Sequence, residues 1–185
     1  NLGQLIHRKA AEAFRSKDRE AFTLHSGRFL GMLADMDTLL RTRSEYSFDR
    51  WLTEARSWGG TEEEKNQMER DATSLVTIWG ADGDPHIFDY SWREWAGLIN
   101  GYYLPRWQKF YTMLQQHLDE GTSYEEAGLP QIYGRETFRA NDFYHALAEW
   151  ELSYVDTYGK ARIPATEGDE IDICLLYTSD AADEL

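Results

Sequence analysis

Cysteine is almost missing from this chain, proline is scarce, and no apolar run approaches the length of a membrane span. The one cysteine, Cys174, excludes an internal disulfide framework and any Cys/His zinc ribbon. Four prolines leave most of the chain free to be helical. A span needs roughly 20 consecutive apolar residues, and none is present, so a membrane partner is not expected. Basic residues are also few, 19 against 33 acids, for a formal net charge of −14. Nucleic-acid surfaces need clustered Lys and Arg, so that balance argues against a nucleic-acid partner and for a solvated acidic exterior. The chain opens on Asn1 without a charged-then-apolar leader, so the natural start, with any signal peptide, is expected upstream.

Cofactor and metal motifs are missing as well. There is no phosphate loop, dinucleotide fingerprint or nucleophile elbow, so no cofactor is expected. The five histidines are scattered with no His-Glu-x-x-His pattern, which leaves no candidate zinc ligands. Asp82-Gly83-Asp84 begins like a calcium loop, but Pro85 and His86 follow and no glutamate closes it. Glu62 to Glu64 reads as the solvated start of a helix rather than a metal site. Acid/base catalysis needs two positioned carboxylates, and 33 acids offer no way to choose a pair.

The tail from Cys174 to Glu184, CLLYTSDAADE, resembles a conceptual translation of the transposon-end adapter used in preparing DNA sequencing libraries. The natural sequence is accordingly expected to stop near Ile173. Residues 174–185 are set aside as an artefactual tail that carries the only cysteine.

What remains, residues 1–173, is patterned for helices. Apolar residues recur at spacings of three, four and seven from Leu2 to about Arg41, with a break at Ser16 to Asp18, where Asp18 can cap a second helix. Gly27 and Gly31, four apart, suggest close packing of another helix. Phe48 to Trp58 places Trp51, Leu52, Ala55 and Trp58 on one face, and Gly59 and Gly60 end it. Thr61 with Glu64 forms a capping box for a helix over Glu62 to Ile78. Ser91 with Glu94 forms a second box, with Asp89 a rival cap, ahead of a stripe through Trp92, Trp95, Ala96, Ile99, Tyr102 and Tyr103. Pro105 should kink or interrupt that helix before it resumes through Leu118 to Gly121. A last helix covers about Asn141 to Asp156. No period-two alternation or internal repeat is present. The pattern predicts an all-α fold, an irregular bundle with short connections.

One stretch stands out, Thr77 to Trp107, with four of the seven tryptophans and three of the eleven tyrosines around a Gly/Asp/Pro loop. Sugars present apolar C–H faces that stack on Trp and Tyr, and hydroxyls that need fixed polar partners. Trp79, Ile87, Asp89 and Tyr90 can supply such a wall. They can equally be helix-end core residues, with Asp89 a simple cap.

The ordered blocks TIWG, IFDY and WAGLINGYYLPRW, with WLTEAR at Trp51 to Arg56 upstream, resemble the C-terminal helical domain of glycoside hydrolase family 89, the α-N-acetylglucosaminidases. The resemblance covers nearly all of residues 1–173, and the loop before Ile87 is longer than in the animal pattern. It implies a fragment, truncated at both ends, of a retaining exo-glycosidase that removes terminal α-linked N-acetylglucosamine, from heparan sulfate in animals and host glycans in bacteria. Both catalytic glutamates would lie upstream in a (β/α)8 barrel, so no residue here is expected to be catalytic. The domain would pack on that barrel and wall the substrate pocket through Trp79, Ile87 and Tyr90, with Trp107 a further candidate. Trp92, Trp95 and Tyr103 are left to the core, and Arg106 to a buried ion pair. By the same resemblance the parent would be periplasmic or secreted in bacteria, lysosomal in animals. The alternative is a freestanding helical carbohydrate-binding or scaffold module.

Overall fold

The computed structural model describes residues 2–79, 89–122 and 142–158. Ile87, the Asp82-Gly83-Asp84 loop, the loose stretch after Thr122 and the tail from Cys174 lie outside them. Six α-helices are present among the described residues, and no strand. The all-α expectation holds.

The first break falls where a cap was expected. Helix α1 (Leu2–Arg15) ends in a tight turn with Lys17 at φ 59°, and α2 (Arg19–Leu40) starts from Asp18, whose carboxylate accepts the Ala21 amide at 3.0 Å. Helix α3 (Phe48–Arg56) is capped by Ser47, and α4 (Glu62–Val76) by the full Thr61/Glu64 box. Arg56 ties these two together: its guanidinium donates to Asn66, Glu62 and the buried Glu69, at 2.8, 2.9 and 2.8 Å. Helix α5 (Leu104–Glu120) stops at Gly121 in the left-handed conformation, φ 69°, and α6 is Asp142–Val155.

Two apolar clusters form the interior. One lies between α1, α2 and α5 and is built on Phe22, Phe29, Leu33, Tyr111, Leu114 and Leu118. The other gathers α3, α4 and α6 around Phe48, Leu52, Val76, Leu98 and Tyr102. Both meet at one short segment. Ile99 belongs to the first cluster, Leu98 and Tyr102 to the second, and Tyr103 packs against both.

That segment departs from expectation. Residues 91–97 are not helical, and no Ser91/Glu94 box forms. The chain instead runs extended beside α3, with a parallel bridge from Ser47 to Ala96; the Ala96 amide donates to Tyr46 O (2.8 Å) and Ala96 O accepts from Phe48 N (3.0 Å). Helical structure starts at Leu98, and its cap comes from another helix. Asp37 of α2, fully buried, accepts the amides of Gly97 (2.6 Å) and Asn100 (3.1 Å) and pairs with Arg41. A π-helical turn, Ile99–Tyr103, follows and leads into Pro105 in the first turn of α5. The proline interrupts by changing the pitch: the Leu104 amide reaches back five residues to Ile99 O, and the missing proline donor falls at the π-to-α junction.

Three local expectations are overturned. A Cβ added at Gly27 or Gly31 would meet nothing within 4 Å, so no described element packs closely on either glycine. Trp58 is 84% exposed because α3 ends at Arg56, two residues before it, and helical periodicity no longer sets its direction. Trp92 is 55% exposed, not core, because its segment is not helical. Trp95 and Tyr103 do pack against the interior.

Candidate functional site

Helix α4 runs out at Val76, and the next three residues turn sharply. The Trp79 amide bonds back to Ser74 O at 2.7 Å, with Trp79 itself at φ 57°. On the far side of residues 80–88 the chain returns at Asp89, φ 53°. The Asp89 amide donates to Thr77 O at 3.3 Å and closes the base of the loop. Two non-glycine residues in the left-handed region, one a tryptophan, cost on the order of 1–3 kcal/mol each and persist only where the surroundings over-determine them.

The consequence is an aromatic pair at the surface. The Trp79 and Tyr90 rings lie 4.8 Å apart at 54°, with Trp79 37% and Tyr90 65% exposed. Leu75 and Trp92, close in sequence to the pair, are also exposed. Two of the four sequence-derived wall residues, Trp79 and Tyr90, are thus brought together, and Ile87 lies outside the described residues. Trp107 makes its ring contacts with other residues. Its ring lies 5.0 Å from His7 and 4.8 Å from Phe29, in the α1/α2/α5 cluster.

Asp89 is no helix cap. It faces Arg106, whose Nη1 donates to both carboxylate oxygens at 2.9 and 2.8 Å. Arg106 Nε stands 2.8 Å from Oε1 of the buried Glu151 on α6, a contact that is ionic rather than a straight hydrogen bond. The guanidinium also lies over the Tyr102 ring, 5.0 Å from its centre. Burial pushes the Glu151 carboxyl up, opposed by Arg106, and pushes the Tyr102 phenol well above its usual range. Burial also raises Tyr103, to about 12, so its hydroxyl stays protonated at any working pH. The buried ion pair expected of Arg106 is present, and it has two carboxylate partners.

Asp89, Arg106 and Trp107 share a cavity of about 350 Å3 with His7, Phe110 and Phe143. His7 Nδ1 is 2.9 Å from the Tyr111 hydroxyl, and burial followed by the charge of Arg15 holds the imidazole below its ordinary pKa. Sequence reasoning missed His7, Phe143 and Glu151 here. Nothing in their spacing marks them, since α1, α5 and α6 meet only in three dimensions. Among the described residues no group of three His, Cys, Asp or Glu is placed to hold a metal, and no helix is long and apolar enough to cross a membrane.

The described residues thus form a helical array with an exposed aromatic pair beside a buried ionic cluster, and its family is shown by similarity. The family model for the alpha-N-acetylglucosaminidase (NAGLU) C-terminal domain matches residues 1–175. The chain belongs to that family. The human alpha-N-acetylglucosaminidase is 31% identical to it over 127 residues, 68% of this chain and 17% of the relative. A family 89 glycoside hydrolase from Clostridium perfringens, solved with PUGNAc, superposes with a TM-score of 0.75 at 25% identity, covering 95% of this chain and 19% of that one. A Glu-to-Gln variant of the Clostridium perfringens protein, solved with its substrate GlcNAc-alpha-1,4-galactose, matches equally well at 26% identity. The chain spans less than a fifth of the length of these relatives.

Proposed function

We propose that this chain is the C-terminal domain of a retaining exo-glycosidase that hydrolyses terminal α-linked N-acetylglucosamine, and that it walls the substrate pocket without supplying catalytic groups. Family membership over residues 1–175 carries the reading. The substrate complex of the Clostridium perfringens relative supports a glycan with terminal α-linked N-acetylglucosamine as the ligand class. The exposed Trp79–Tyr90 pair supports the wall: two rings 4.8 Å apart suit the apolar face of a pyranose.

The parent's barrel is the proposed partner. Leu75, Trp79, Tyr90 and Trp92 are all exposed large apolar residues, and apolar surface left exposed in this way supports an interaction face. Residues 1–173 make up the proposed domain, with 174–185 foreign to it; sequencing the source DNA past codon 173 tests that division. The functional test is direct. Residues 1–173, expressed alone and given an aryl α-N-acetylglucosaminide, should show no turnover, while the parent enzyme should cleave it. Turnover by the fragment would place catalysis in this chain and overturn the reading.

A further inference from the structure

The wall residues sit on a backbone that needs holding. Trp79 and Asp89 both adopt positive φ, a conformation that survives only when neighbouring contacts enforce it. Asp89 is fixed at three points: its amide to Thr77 O, its carbonyl to the Trp92 amide (3.1 Å), and its carboxylate to Arg106. The first is a long bond across twelve residues, and the second closes a turn within three. The third reaches across 17 residues to a half-buried guanidinium. Arg106 is fixed in its turn from the other side by Glu151 of α6 and the Tyr102 ring.

We propose that Arg106 is a positioning residue: by gripping Asp89 it sets the backbone that presents Tyr90 and, through the ring contact, Trp79 as a preformed wall. This rests on the reading of that pair as a sugar wall and names the group that sets its shape. The chemistry requires arginine. Nη1 serves Asp89 while Nε serves Glu151, and the planar guanidinium covers Tyr102; the three donors of a lysine radiate from one nitrogen, so it cannot occupy the Nη1 and Nε positions at once and has no planar face for the ring. Asp89→Asn keeps the shape and removes the charge that draws the guanidinium in. Misplacing a binding group by about 1 Å can cost on the order of a hundredfold in rate, so a loosened grip should register in kinetics before it registers in folding.

The experiment uses the full-length parent enzyme with an aryl α-N-acetylglucosaminide, reading kcat, KM and thermal melting together. Arg106→Lys and Asp89→Asn should each lower kcat/KM roughly tenfold or more, chiefly through KM, with the melt retained. The double variant should be no worse than the poorer single one. Neither substitution should lower kcat/KM further once Trp79 and Tyr90 are both alanine. Additive losses, activity that falls only with the folded fraction, or failure of both single variants to fold would make the cluster purely structural and overturn the proposal. If Trp79→Ala and Tyr90→Ala leave the kinetics unchanged, the wall reading itself falls. If they lower kcat/KM and the Arg106 and Asp89 variants do not, only the positioning role falls.

Discussion

Trp79 and Tyr90 show how little residue type decides by itself. A tryptophan at the end of a helix is ordinarily core, and Trp95, close by in the same stretch, is packed against the interior. What brings Trp79 outward is the left-handed turn after α4, φ 57°, which no helical pattern can forecast for a tryptophan. In the parent enzyme, Trp79→Ala should raise KM or lower kcat without loss of the melt; equal loss of activity and stability would return the ring to a core role. His7 makes a second prediction at this scale. Its pKa is held below the ordinary value, first by burial and then by Arg15. A histidine depressed by folding stabilises the native state above its unfolded pKa of about 6.5, and that contribution is lost as pH falls from there toward the folded value. The melting temperature should therefore drop on acidification below that point, and His7→Gln should flatten the slope; an unchanged slope would assign it to other groups. Tyr111→Phe, which removes the partner hydroxyl, should cost about 1 kcal/mol in urea unfolding.

At the scale of elements, the caps divide into those visible in the chain and those that are not. Thr61 and Glu64 lie three apart, and the box they form is local, so it could be read directly. Thr61→Ala should cost about 1 kcal/mol by urea denaturation. Ser91 and Glu94 have the same spacing and form no box, because residues 91–97 are not helical and Ala96 is bonded to Tyr46 and Phe48 instead. The helix that begins at Leu98 is capped by Asp37, about sixty residues earlier, a partner that no local pattern can reveal. Asp37→Ala would free the part-buried amides of Gly97 and Asn100 and strand Arg41, a loss of roughly 3–5 kcal/mol. Asp37→Asn keeps an acceptor and should cost distinctly less. A small and equal effect for the two would show that the cap contributes little. Gly27 and Gly31 give the opposite lesson, a packing motif with no described neighbour close to either glycine.

At the scale of the whole molecule, the described residues form two apolar clusters joined at Leu98–Tyr103, with an ionic chain from α6 through Arg106 to Asp89 beside the exposed aromatic pair. The chain is a small part of the length of its much longer relatives. The chain's own pattern was enough for the helical class, for the helix ends at Asp18, Thr61 and Gly121, and for the family, because periodicity, capping and ordered motif blocks are properties of neighbouring residues. Only the tertiary structure decided that Trp79 and Tyr90 meet at the surface, that Trp107 packs inside beside His7, that Asp37 starts a helix far from it, and that Asp89 pairs with Arg106 rather than capping a helix. Those outcomes depend on which distant elements come together and on backbone conformations that cost energy, and neither is written in the spacing of residues along the chain.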